Sequence, residues 1–249
     1  MPALDERQNQ RREDELALAR RLTILHDAAL RSGHPRWNLA AFAHHPDPVG
    51  ATFLAAVTGA DSDFHVHLAE ASGLGLVAGV LAAECILELL RRDDASKFAS
   101  LNRHFHLDPP GDRGLLAAGA LHFRSEGLEW TGTFAGLQAP ILVDDSGRVE
   151  LLMGTGPFLG LTDTTSPTIR GLLHPGKRLF LLAGSGAGDQ TPALCERLAN
   201  TPNLPLAEMV ERLGRELLPG LEPGFGLTLV GIERREYALP LPPAVAPLE

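Results

Sequence analysis

Between Trp37 and Glu233 the apolar residues follow an order that few folds can satisfy: strands first, two helices inserted, antiparallel hairpins, then helices and a closing strand. Trp37 to His44, Ala51 to Val57 and Phe64 to Leu68 read as strands, the last because Phe64, Val66 and Leu68 alternate with His65 and His67. Helical spacing follows from Leu76 to Leu90, and a shorter run reaches about Phe105. From Leu115 to Met153 the pattern is strand, turn at Ser125, Glu126 and Gly127, strand, and a second hairpin turning at Asp144, Asp145, Ser146 and Gly147. The next strand is Arg178 to Ala183. Thr191 and Pro192 predict an N-cap with proline at the first helical position. Leu206, Val210, Leu213 and Leu217 predict another helix, and Leu227 to Glu233 the closing strand. The sum is an α+β layered domain over residues 32–237.

Residues 1–31 place Leu18, Leu22, Leu25 and Ala29 at 4-3-4 spacing among charges, the pattern of an amphipathic helix. Two heptads are too few for a coiled coil, so core packing and a homodimer contact are both open. The tail 238–249 is proline-rich and predicted to be disordered.

A chain of 249 residues with 44% hydrophobic content buries roughly 70–75% of its unfolded surface and needs no staples. Cys85 and Cys195 sit in apolar helical patterns without a partner spacing, so both read as reduced packing cysteines. The net charge of −9 with scattered basic residues excludes a nucleic-acid footprint, which needs a concentrated positive face. No apolar run reaches the ~18–20 residues of a membrane span, and the charged N-terminus has no apolar core; a cytoplasmic protein is expected.

Three local patterns bear on chemistry. Gly73, Gly75 and Ala78 fit the GxGxxG/A turn, which can offer N–H groups to a pyrophosphate, but the required acidic residue after a second parallel strand is replaced by Arg91, Arg92, Asp93 and Asp94 leading into a helix. His65/His67 and His104/His106 are His-x-His pairs. On a strand each would put two imidazoles on one face as zinc requires, yet no third ligand has a definable spacing, so they read as surface or capping histidines. No nucleophile elbow or P-loop is present.

Several segments, in order, resemble the SpoIIE-like branch of the metal-dependent serine/threonine protein phosphatases (PPM, type 2C). Glu15 to Arg20 resembles the helix leading into such domains, Val49 to Phe53 their first metal-binding segment, and Glu70 to Gly75 their Asp-x-Ser-Gly-His-Gly loop. Leu101, Asn102 and Arg103 end the second helix as there; Ala135 to Pro140 is similar to the Ala-Gly-His-x-Pro turn, and Thr155 to Leu161 is close to the usual form. Pro175 to Gly186 resembles the strand ending in Thr-Asp-Gly, and Phe225 to Val230 stands in the place of Asp-Asp-x-Thr.

The resemblance implies a four-layer α/β/β/α sandwich of two antiparallel sheets, with chemistry at one end where aspartates hold two Mn2+ or Mg2+ ions and a bridging water attacks a phosphoserine or phosphothreonine. It also implies that the ligand set has degenerated. Thr52 and Ser185 stand at aspartate positions, Phe225 and Gly226 at the final acidic pair, and Glu70 alone keeps a carboxylate. Ser72, Gly73, Gly75, Gly136, Gly156, Gly160, Gly184, Gly186 and Thr228, which are turn and packing positions, remain. If the register of this resemblance is shifted, Asp61, Asp63, Asp163 and Asp189 are the carboxylates that could serve instead.

The expectation is therefore a pseudophosphatase with no catalytic residues and no bound metal, acting through a protein partner in bacterial-type signalling. Alternatives are an active phosphatase with an atypical metal site that includes Glu70, and a nucleotide-binding module using the Gly73 to Ala78 turn.

Overall fold

The computed structural model describes residues 34–45, 51–59, 61–72, 75–91, 97–107, 115–162, 164, 166–201 and 204–236. The predicted N-terminal helix, the proline-rich tail, Gly73 and Asp163 lie outside them.

Ten strands form two antiparallel five-stranded sheets. One contains β1 (Trp37–His44), β10 (Leu227–Arg234), β9 (Arg178–Ala183), β6 (Ile141–Val143) and β7 (Val149–Leu151), in that spatial order. The other runs β2 (Thr52–Thr58), β3 (Phe64–Ala71), β4 (Leu116–Phe123), β5 (Glu129–Ala135) and β8 (Thr168–Leu172). Successive side chains on a strand point to opposite faces, and the apolar residues divide accordingly. Leu54, Phe64, Val66, Leu68, Phe123 and Phe134 of one sheet meet Trp37, Leu179, Leu181, Val230 and Ile232 of the other in a buried central layer.

The outer faces are covered by helices. Ala55, Ala69, Ala118 and Ala120 pack under α1 (Gly75–Arg91) and α2 (Lys97–Leu107), which contribute Leu81, Cys85, Leu89, Phe98, Leu101 and Phe105. Small residues on that face let the helices approach. Phe180, Leu182, Leu227 and Leu229 pack under α3 (Ala187–Asn200) and α4 (Leu206–Leu217). Buried Leu206, Met209, Val210, Leu213 and Leu217 form the apolar stripe of α4, while Arg212–Glu216 and Arg215–Glu211 pair one turn apart on its exposed side. The result is the expected four-layer sandwich.

Four expectations need correction. Helix α3 begins at Ala187 after Gly186, so Pro192 is interior and the Thr191 hydroxyl donates to Ala187 O (2.9 Å) instead of capping; the apolar stripe of Ala187, Leu194 and Leu198 starts the helix one turn earlier than the Thr-Pro signal. Helix α2 reaches Leu107, in line with the helical run to about Phe105, and so passes the Leu101–Arg103 end that the resemblance implies, because Phe105 is buried against β-sheet residues. His65 and His67 are buried, since β3 is an interior strand whose outer face the helices cover. Strand β8 is unpredicted: on this edge strand Thr168, Arg170 and Leu172 are exposed, and Gly171 presents no side chain because Trp130 Nε1 would lie 2.7 Å from a Cβ there.

The histidines at 104 and 106 do sit in the last turn of a helix. His106 Nδ1 donates to Gly160 O at 3.2 Å, and His104 lies 3.7 Å from Glu84. Cys85 is buried and Cys195 half-buried, and both are free thiols. No described helix is long and apolar enough to cross a membrane.

Phe134 is fully buried in the central layer, and Gly119 and Gly132 on neighbouring positions leave room for its ring, which a Cβ at either would meet at 2.8 Å. Phe134→Ala is expected to destabilise the domain by about 3–5 kcal/mol, measured as a lower denaturant midpoint with unchanged slope.

Candidate functional site

At one end of the sandwich β2 begins, β3 ends, β9 ends and β10 begins. Thr52 and Glu70 are direct partners across the β2–β3 pair. Thr52 shares the parity of Leu54 and Ala56, and Glu70 that of Val66 and Leu68, so both face the other sheet. The Glu70 carboxylate crosses that space: Oε2 accepts the N–H of Gly184, just past β9, at 2.8 Å. Burial raises the Glu70 pKa above the usual carboxylate range, and the Gly184 N–H offsets this only in part.

Gly184 has φ +114°, and a Cβ on it would stand 2.3 Å from the carbonyl oxygen of Gly226. The position therefore demands glycine on two grounds, conformation and contact. The next residue, Ser185, is exposed, and its Oγ accepts the N–H of Gly226 at 3.0 Å. Phe225 closes a turn by donating its N–H to Glu222 O (3.0 Å), and its half-buried ring lies beside Gly186. Thr52, Glu70, Ser185, Phe225 and Gly226 are thus brought to one place, as the sequence resemblance implies. At Glu70 and Ser185 the side-chain oxygen takes a backbone N–H of the neighbouring loops.

The retained positions behave as scaffold. Ser72 ties the end of β3 to β4: its N–H donates to Leu115 O (2.7 Å), and its Oγ accepts the Leu115 N–H (2.5 Å). Gly75 opens α1. Gly136 and Gly156 link the β5 end to the Thr155–Leu161 loop, through Gly136 N–H to Gly156 O (2.9 Å) and Gly156 N–H to Phe134 O (2.7 Å). Gly160, at φ +76°, packs its Cα against the backbone of Phe105, and its N–H donates to Asn102 Oδ1 at 2.8 Å. Gly186 precedes α3. Thr228 is fully buried in β10 with its hydroxyl unpartnered.

The nucleotide turn does not find its context. Every pairing between the named strands is antiparallel, whereas the dinucleotide fingerprint belongs to a parallel βαβ unit. Asp189 is exposed in the first turn of α3. Among the described residues, the group of three or more His, Cys, Asp or Glu side chains whose ligand atoms converge is Asp61, Asp63 and His122, not a set around Glu70. It lies at the opposite end of β3. Sequence reasoning singled out the two aspartates but missed His122, which the β3–β4 register brings opposite His65.

No protein-family model matches the sequence, and no curated protein matches it. Solved structures do match the fold. The SiaA-PP2C domain of Pseudomonas aeruginosa superposes with a TM-score of 0.71 at 17% identity, over 95% of this chain and 100% of that one. The RsbU and RsbW domains of Rv1364c from Mycobacterium tuberculosis give 0.69 at 18% identity over 83% of this chain. The PP2C phosphatase domain with a regulatory fragment of SpoIIE from Bacillus subtilis gives 0.65 at 13% over 80%. This chain spans 64% of the length of each of the latter two. The chain has the PP2C phosphatase fold. In a PP2C-fold domain the end carrying Thr52, Glu70, Ser185 and Gly226 is the one where the sequence resemblance locates the metal ligands.

The raised pKa makes Glu70 a test of that end. Folding raises its pKa, so its contribution to stability is fully present below about the ordinary value of 4.5 and is lost as pH rises through the folded value. Glu70→Gln keeps an acceptor for Gly184 and removes the buried charge. It is expected to raise the melting temperature at pH 7 by about 2–4 °C, the shift ~1 kcal/mol gives in a domain of this size, and to have no effect near pH 4, as read by calorimetry at both pH values.

Proposed function

We propose that this PP2C-fold domain is a pseudophosphatase, a rigid module that binds a protein partner without hydrolysing phosphoesters. The observation that carries the reading is the state of the Glu70 end: one carboxylate, already accepting Gly184 N–H, beside a Ser185 hydroxyl that accepts Gly226 N–H. Magnesium and manganese need oxygen ligands, above all carboxylates, and Mg2+ demands near-octahedral geometry. Two-metal catalysis needs a pair of ions about 3.5–4 Å apart held by such ligands. Thr52 and Ser185 offer neutral hydroxyls, Gly226 offers no side chain, and the Phe225 ring adds apolar bulk. The residues at this end do not fit a two-metal centre. Replacing even an outer partner of a metal site lowers affinity or activity ~10–100-fold, so three missing ligands multiply to roughly 10³–10⁶.

The setting we propose is partner-switching signalling of bacterial type, in the cytoplasm. Its support is the company of the fold: one structural neighbour is joined to an RsbW domain, and another is a cell fate determinant carrying a regulatory fragment. The predicted N-terminal helix, with Leu18, Leu22 and Leu25, is proposed as a homodimer contact. An active phosphatase with an atypical site has one observation in its favour, the retained Glu70 carboxylate.

Hydrolysis of a phosphoserine peptide and of a generic phosphate ester, with millimolar Mn2+ or Mg2+, distinguishes the two. The protein is expected to show no metal-dependent turnover, and the combined substitutions Thr52→Asp, Ser185→Asp and Gly226→Asp to confer Mn2+ binding. Metal-dependent turnover by the unmodified protein that Glu70→Ala abolishes contradicts the reading.

A further inference from the structure

At the opposite end of β3, seven residues and about 23 Å from Glu70 at ~3.3 Å per residue, a second set of ligand-type side chains converges. Asp61 and Asp63 lie on the β2–β3 turn, and His122 lies on β4 opposite His65 of β3. One ligand atom from each of Asp61, Asp63 and His122 falls within 4.8 Å of the others. His122 Nε2 donates to Asp63 Oδ2 at 2.6 Å, while Asp63 Oδ1 accepts the Ser125 N–H at 2.6 Å. Asp61 Oδ1 accepts the Asp63 N–H at 3.1 Å.

The imidazoles of His122 and His65 stack with centroids 4.7 Å apart and planes 12° from parallel, and His67 continues the row at 6.3 Å from His65. His67 is buried with no partner for its Nδ1. A cleft of about 250 Å³ opens over the set, lined by Asp61, His65, Lys97 and His122 among others.

Gly59 is the detail that a simple turn anchor leaves unexplained. It is not in the left-handed region, so its backbone does not demand glycine. A Cβ there would stand 2.8 Å from Asp61 Oδ1 and 2.9 Å from His65 Nε2. The missing side chain keeps open the gap between a carboxylate oxygen and an imidazole nitrogen. Anchoring the β2–β3 turn to β4 uses Asp61, Asp63 and Ser125 and needs neither His65 nor that gap.

We propose that Asp61, Asp63 and His122, with His65 stacked beside them, form a binding site for a zinc-class divalent cation, distinct from the Glu70 end. Two carboxylates and one imidazole are oxygen and nitrogen donors such an ion takes at about 2.0–2.2 Å, with a water completing the tetrahedral set. The two carboxylate charges of Asp61 and Asp63 exceed the one ammonium, that of Lys97, among the residues lining the cleft. Binding replaces one interaction: the Nε2 proton of His122 that Asp63 now accepts leaves that nitrogen, moving to Nδ1 of the same ring, and the cation takes its place between nitrogen and oxygen. The ion then joins the β2–β3 turn to β4.

Zinc titration of the full chain by calorimetry tests this, with Co2+ absorption as a second readout because tetrahedral cobalt absorbs far more strongly than octahedral. The expected result is one zinc per chain at this site, tetrahedral cobalt bands, and at least ~10-fold weaker binding in Gly59→Ala, Asp61→Asn and His122→Gln. Glu70→Gln is expected to leave the zinc affinity unchanged. Asp63→Asn retains the Ser125 acceptor, so it separates loss of zinc from loss of the turn; circular dichroism confirms that each variant is folded. Absence of zinc uptake by the folded protein, or uptake whose affinity survives Asp61→Asn and His122→Gln, overturns the proposal.

Discussion

Two sheets packed inner face to inner face leave little freedom to whatever stands where their strands end. The period-two alternation that buries Val66 and Leu68 also turns Glu70 inward, toward the opposite sheet, and turns Thr52 beside it. A carboxylate so placed must find positive charge or a donor, because a buried unpaired charge is costly. In this chain the donor is the Gly184 amide. That single bond ties one sheet to the loop of the other and occupies an oxygen that a cation would need. Gly184 is held at φ +114° directly against Gly226, so the amide is presented by a backbone with no room to retreat.

Much of this was legible in the order of residues. Strands β1 and β9 fall within the predicted bounds to the residue, and α4 follows its apolar spacing. Turn residues with a mechanism were read correctly, as at Asp144, whose Oδ1 accepts the N–H groups of Ser146 and Arg148. What failed has physical reasons. Edge strand β8 has too little to bury to carry a period, and the Thr-Pro signal at Thr191 and Pro192 is overridden by the packing of Ala187, Leu194 and Leu198. The burial of His65 and His67 depends on α1 and α2 covering β3, a tertiary fact that strand alternation alone does not reveal. His122 joined its cluster only through the β3–β4 register.

Strand β3 thus carries two different polar ends on opposite faces of one sheet: Glu70 facing the inter-sheet layer, and His65 with His67 facing the helices. The scaffold between them is apolar and continuous. Glycines at 136, 156, 160 and 184 hold the loops around the Glu70 end, while Thr52, Ser185, Phe225 and Gly226 leave Glu70 as the carboxylate among the five residues there. A fold can keep its turns after its ligands change, because turns are set by backbone conformation and packing.

Anomalous diffraction from crystals soaked in Mn2+ locates any bound ion directly. The account predicts no manganese peak within coordinating distance of Glu70, Thr52 or Ser185. A pair of peaks there, about 3.5–4 Å apart as two-metal hydrolysis requires, would contradict it.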